Sequence, residues 1–269
     1  MINIEEDKIT KLILNYKDYK IEILKMQNGY SFDTNVGKYN IEQMQVKNYI
    51  NNLNIMKVED FNDQPSQSDI NNFVSNKKLD VVIEYQNAQK QHLQFSVFNN
   101  MLYVSYDPKK LIFNLSNDLK NEIFKTIWDF RDKHIFKIDT LSLSSITIDD
   151  KIYINRNNEW FLNEDLQKEQ NDPTFKPISY NFVTTFINKL VDTEALKVLD
   201  YNAFKEYLKT PSQHLIKFHF NDSIVSSLNI NFWVNKQDNN QYVVSLSILK
   251  DEFYVVDKAL LDDIQTKSN

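Results

Sequence analysis

Four histidines, His92, His134, His214 and His219, are the side chains in this sequence best suited to ligating a metal or moving a proton near neutral pH. His214 and His219 lie closest, but an odd separation along a strand sends them to opposite faces, and two imidazoles must converge to share one ion. The acidic runs Glu5–Glu6–Asp7, Asp149–Asp150 and Asp262–Asp263 offer carboxylates for general acid–base work. Adjacent carboxylates diverge, however, whereas a glycosidase pair must face itself at about 5–10 Å across a cleft. The oxygen-rich stretch Asp60–Asp69 lacks the glycine and terminal glutamate of a calcium loop and reads as a helix–helix loop. The serines of Leu141–Ile148 have no His or Lys at a recognisable triad spacing and read as outward-facing strand hydroxyls. No residue is therefore assigned a catalytic, cofactor-binding or metal-ligating role, and no cofactor is expected.

The rarer residue counts narrow the chemistry further. Only Gly29 and Gly37 are present, too few for a phosphate-cradling loop, a dinucleotide fingerprint or a nucleophile elbow. The absence of cysteine removes thiol nucleophiles, disulfides, iron–sulfur clusters and thiolate zinc sites. A net charge of −6 argues against a general nucleic-acid binder, and no nucleic-acid partner is expected. Nucleic-acid binding would need Lys77–Lys78 and Lys109–Lys110 to merge with Tyr85 and Tyr106 into one face. The aromatic hairpin residues Phe95, Phe98, Tyr103, Phe232 and Trp233 read as core, while Trp160 and Trp233 are the candidates for an exposed binding surface. No run approaches the roughly 20 apolar residues of a membrane-spanning helix, so no direct span is expected.

The elements that would position these groups repeat. The stretch Tyr49–Leu53 (YINNL) returns as Phe186–Leu190 (FINKL), and Phe113–Ile123 returns as Tyr254–Ile264 in nearly the same register. Each half opens with three extended segments, Leu12–Leu14, Lys20–Leu24 and Gly29–Phe32 in the first, Ile146–Ile148, Lys151–Ile154 and Glu159–Leu162 in the second. A helix follows with one apolar face, Val46, Tyr49, Ile50 and Leu53, repeated as Val183, Phe186, Ile187 and Leu190. Second helices are expected around Ser68–Val74 and Tyr201–Leu208, then four strands and a closing helix. The order β-β-β-α-α-β-β-β-β-α, with no regular strand–helix alternation, predicts an α+β fold of two tandem repeats of antiparallel sheet packed with helices. The expected boundaries are residues 1–128 and 144–269, joined by a junction at 129–143 in which a helix end passes into a strand.

The opening hairpin, the helix at 46–61 and above all Leu119–Ile148, with Phe130–Arg131–Asp132–Lys133 before Ile135–Phe136, resemble the domain of unknown function 4340 family over nearly the whole chain. The resemblance implies an extracytoplasmic accessory domain of the bacterial cell envelope, often paired with membrane transport components. Members usually carry an amino-terminal membrane anchor, so a periplasmic or membrane-anchored location is expected if the amino terminus has been trimmed. The resemblance implies no catalytic residues.

The leading expectation is a non-enzymatic interaction or accessory module with a protein partner in a membrane-associated complex. Two other classes stay open: a ligand-binding protein or hydrolase with its site between the repeats, and a secretion-associated bacterial factor.

Overall fold

The computed structural model describes residues 3–33, 40–221, 226–248 and 252–262, so Gly37, Asp263 and Ile264 lie outside the described residues. The chain divides into two compact units, Met1–Asp132 and Lys133–Asn269. In unit 1 the elements are β1 (Ile9–Tyr16), β2 (Lys20–Met26), β3 (Gly29–Phe32), α1 (Gln43–Asn54), β4 (Val58–Asn62) and α2 (Gln67–Ser75). They are followed by β5 (Lys77–Tyr85), β6 (Lys90–Phe98), β7 (Met101–Asp107), β8 (Leu111–Leu115) and the one-turn helices α3 (Lys120–Ile123) and α4 (Ile127–Phe130). Unit 2 contains β9 (Leu143–Ile148), β10 (Lys151–Arg156), β11 (Glu159–Leu162), α5 (Asn163–Asn171), α6 (Asn181–Val191), β12 (Lys197–Leu199) and α7 (Tyr201–Phe204). It closes with β13 (His214–Phe220), β14 (Ser227–Val234), β15 (Gln241–Leu246) and β16 (Phe253–Asp257), then a 3-10 turn at Lys258–Leu261.

Each unit is one eight-stranded antiparallel sheet. The orders are β3-β2-β1-β5-β6-β7-β8-β4 and β11-β10-β9-β13-β14-β15-β16-β12, the same topology twice. The fold is thus α+β, built as two tandem repeats. Alternation drives the strands: Leu12 pairs with Ile23 and Leu14 with Ile21, and the same buried face continues through Val81, Ile83, Leu93, Phe95, Leu102 and Val104. Two-residue turns close the hairpins where asparagine tolerates left-handed backbone, at Asn99 and Asn100 (φ 49° and 59°) and at Asn157 and Asn158 (φ 54° and 66°). Gly29 sits at φ 134°, and a Cβ there would overlap the Gln43 side-chain amide, which accepts from Tyr30 N and donates to its carbonyl to hold α1 on β3.

The long helices bury the face their spacing predicts. Val46, Tyr49, Ile50 and Leu53 of α1, and Val183, Phe186, Ile187 and Leu190 of α6, are all almost fully buried. Helices α2 and α7 each bury a single phenylalanine. Ser66 caps α2 reciprocally with Asp69, and the buried Ser96 hydroxyl donates to the Phe73 carbonyl at 2.6 Å. In α7, Phe204 stacks on Phe253 with ring centroids 3.6 Å apart and meets Trp233 edge-on at 5.2 Å.

Three expectations are corrected. Between α1 and α2, and likewise between α6 and α7, runs a strand, β4 or β12, so the loop expected at Asp60–Asp69 is partly an edge strand. Its side chains are nearly all exposed, and backbone pairing with β8 holds it in place without an apolar alternation. Helix α5 was not expected because its buried side chains are only Asp165 and Leu166. The segment between Phe130 and Leu143 is not a strand. It makes isolated bridges instead, Arg131 to Ile41 in unit 1 and His134 to Glu194 in unit 2.

Candidate functional site

The four histidines stand in four separate settings. His92 faces Asp80 at 3.5 Å, His134 faces Glu194 at 3.9 Å, and His214 Nδ1 lies 3.0 Å from Asp149 Oδ2, while His219 is exposed on β13. Among the described residues no group of three His, Asp or Glu side chains is placed to hold a metal ion. Two of the acidic runs, Glu5–Glu6–Asp7 and Asp149–Asp150, serve local structure, while Asp263 of the third lies outside the described residues. Glu6 accepts from the Tyr30 hydroxyl at 3.0 Å, and Asp149, at φ 52° in the β9–β10 turn, accepts from the Leu215 N–H as well as facing His214.

Strand pairing sets His219 opposite Ser145, a juxtaposition invisible along the chain. The neighbouring Ser144 hydroxyl donates to the His219 backbone carbonyl rather than to its ring. Lys77–Lys78 begin β5 and Lys109–Lys110 follow β7, which places the two pairs at opposite ends of the sheet. Trp160 and Trp233, the candidates for an exposed surface, are both buried. The Trp233 indole donates to the Thr210 carbonyl and packs on Phe204, so both rings belong to the core.

Two polar clusters have no sequence signal because their members meet only in the fold. Lys11 Nζ lies 2.8 Å from Glu22 and 3.0 Å from Asp33, and the hydrogen bond to Glu22 holds its ammonium above the usual lysine range. In unit 2 the buried Asp165 accepts from the Tyr180 hydroxyl at 3.2 Å, beside Tyr153 and Phe182.

Tyrosine burial sets a pH limit. Burial pushes the Tyr49 phenol well above its ordinary value of 10 and raises Tyr16 and Tyr30 as well. A folded pKa above the unfolded one favours the neutral phenol. That contribution is present below about pH 10 and is lost as pH rises beyond it, at ~1.4 kcal/mol per pH unit for each proton released only on unfolding. Urea midpoints should therefore fall steeply above about pH 10. Tyr49→Phe should make that fall shallower, at a neutral-pH cost of about 1–2 kcal/mol because the Ile123 carbonyl loses its donor. A slope unchanged by the substitution would refute the assignment.

The remaining candidate is an apolar groove of about 290 Å³ in unit 1. Its floor is Val104, Tyr106, Phe113 and Leu115 of β7 and β8, and its walls are Leu53, Asn54 and Met56 at the end of α1 and Val58 of β4. Period-two alternation places the floor side chains on the α1 side of the sheet. Tyr106 is 46% exposed, Val58 43% and the adjacent Phe61 61%. Such apolar exposure beside an edge strand is suited to taking up another polypeptide through side-chain burial and backbone pairing. Of its lining, the sequence offers Tyr106 for a nucleic-acid face and no residue for an apolar groove. Only the pairing of β7 with β8, and the docking of α1 over them, bring it together.

A family model described as a domain of unknown function, DUF4340, matches residues 34–213, well over half of the chain. Neither a curated protein nor a solved structure matches it.

Proposed function

The chain belongs to the DUF4340 family, and from that premise we propose that it is a non-enzymatic interaction module, an accessory part of a bacterial cell-envelope or transport-related assembly. The observation that carries this reading is the groove of unit 1, whose Val58 and Tyr106 stay accessible beside the edge strand β4. Burying apolar surface is worth about 25 cal/mol per Å², so a partner that covered this patch would gain appreciable affinity. The site's chemistry is that of recognition. Its lining supplies hydrophobic contact and backbone pairing, with no acidic or basic side chain among the residues that form it. The envelope setting rests on the family resemblance, and with it the proposed partner belongs to an extracytoplasmic or membrane-associated complex.

A thermal-shift screen against divalent metals, nucleotides and phosphorylated metabolites tests the non-enzymatic part, since a ligand at ~100 times its Kd adds about 2.7 kcal/mol to folding. The expected result is an unmoved midpoint with each, together with recovery of a membrane-complex component by pull-down from a native envelope extract. A saturable shift with a metal or nucleotide, abolished by substitutions within one cleft, would overturn the reading in favour of a ligand-binding protein or hydrolase.

A further inference from the structure

The two units share one topology, and their first strands align residue for residue. Thr10 Oγ1 donates to the Glu84 carbonyl at 3.1 Å and Ser144 Oγ to the His219 carbonyl at 3.0 Å. Each bond sits at a register irregularity next to a buried aliphatic, Ile9 in unit 1 and Leu143 in unit 2. That alignment makes Ile138 the counterpart of Ile4, Lys137 of Asn3 and Phe136 of Ile2. Ile4 and Ile138 are both buried, and Asn3 and Lys137 are both exposed.

In unit 2 the next residue turns inward again and covers the sheet. Phe136 is buried, and its ring lies parallel to Phe232, the cross-strand partner of Val244. The corresponding pair in unit 1 is Phe95 with Val104, and Val104 is on the floor of the groove. Val104 pairs in turn with Phe113 as Val244 pairs with Tyr254. The chain of unit 1 also arrives at the groove wall. The Ile4 N–H donates to Asn54 Oδ1 at 2.7 Å, Asn54 Nδ2 donates to the Ile4 carbonyl at 2.9 Å, and Asn54 is one of the wall residues at the end of α1. Ile2 lies outside the described residues, and the two residues that separate it from this anchor give it a reach of about 7 Å.

We propose that Ile2 is the intramolecular occupant of the unit 1 groove, seated between Leu53 and Val104 where unit 2 seats Phe136, and that a partner segment must displace it. This autoinhibitory contact rests on the interaction-module reading and regulates the same site. Isoleucine is smaller than its counterpart phenylalanine, so the seat is shallow, and the exposed rim at Val58 and Tyr106 is where a partner engages first.

The test uses the full chain with labelled Ile, Leu and Val methyl groups. NOEs are expected from the Ile2 methyls to those of Leu53 and Val104, and a sample mixing labelled with unlabelled chains should show that they arise within one molecule. Ile2→Asp should abolish them and shift both floor and wall resonances, whereas Asn3→Asp, at an exposed position, should not. The yield of partner adduct from a photocrosslinking analogue at position 106 should rise about twofold or more with Ile2→Asp, the factor by which a terminus seated in at least half of the molecules lowers the apparent affinity, and fall with Ile2→Phe. The melting midpoint reports whether either variant disturbs the fold. The proposal is overturned if Ile2 gives no NOE to the groove, if the NOEs arise between two copies, if Asn3→Asp moves the resonances as far as Ile2→Asp does, or if the adduct yield is indifferent to both Ile2 variants. Partner adducts without the Ile2 NOEs would sink this proposal alone, whereas Ile2 NOEs with no partner adduct in any variant would sink the interaction reading beneath it.

Discussion

Ile187→Asp is expected to cost about 3–5 kcal/mol and to lower the melting midpoint by roughly 10 °C, because it forces a carboxylate into the apolar seam between α6 and its sheet. Ile50→Asp should do the same to unit 1, where Ile50 holds the equivalent place on α1. Tryptophan fluorescence separates the two events, since Trp128 lies in unit 1 and Trp160 and Trp233 in unit 2. Asn51→Asp, on the exposed side of α1, serves as the control and should change stability by less than about 0.5 kcal/mol. Unchanged midpoints for both isoleucine variants would show that these helices do not bury the faces described.

The second large effect is expected at the opposite face of the unit 2 sheet. Phe204 supplies the ring between Phe253 and Trp233 in a cluster that also holds Tyr207, Val243 and Val255. Truncation to alanine removes that ring and leaves a cavity that a one-turn helix cannot collapse to fill, so Phe204→Ala should cost about 3–5 kcal/mol. Acrylamide quenching should rise as Trp233 becomes accessible, and Phe204→Leu should recover much of the loss. A cost below about 1 kcal/mol would mean that α7 is not a structural plug of this face.

Legibility followed the side chains. Strands such as β1 and β5 announce themselves because every second residue is an aliphatic that must face inward, and α1 and α6 because four apolar positions recur at helical spacing. The duplication was legible for the same reason: both copies must bury the same face. Strands β4 and β12 were not, because edge strands are held by backbone pairing and their composition is free to be polar. The tryptophans misled in the other direction. An indole looks like a binding handle in sequence, but Trp233 finds a carbonyl at Thr210 and can be buried whole. The groove was the least legible feature. Val104, Tyr106 and Phe113 share a face only through the β7–β8 register, and Leu53 reaches them only because α1 crosses that sheet. Lys11, Glu22 and Asp33 likewise meet only across strand pairs.

The central claim, that this protein works by taking a partner segment into the unit 1 groove, is tested most directly by placing a photocrosslinking phenylalanine analogue at position 106 of the full chain in its native cell. The account predicts a covalent adduct to one partner protein, lost when Val58→Glu is added at the exposed groove wall. Adducts confined to the chain itself, or a partner adduct indifferent to Val58→Glu, would contradict it.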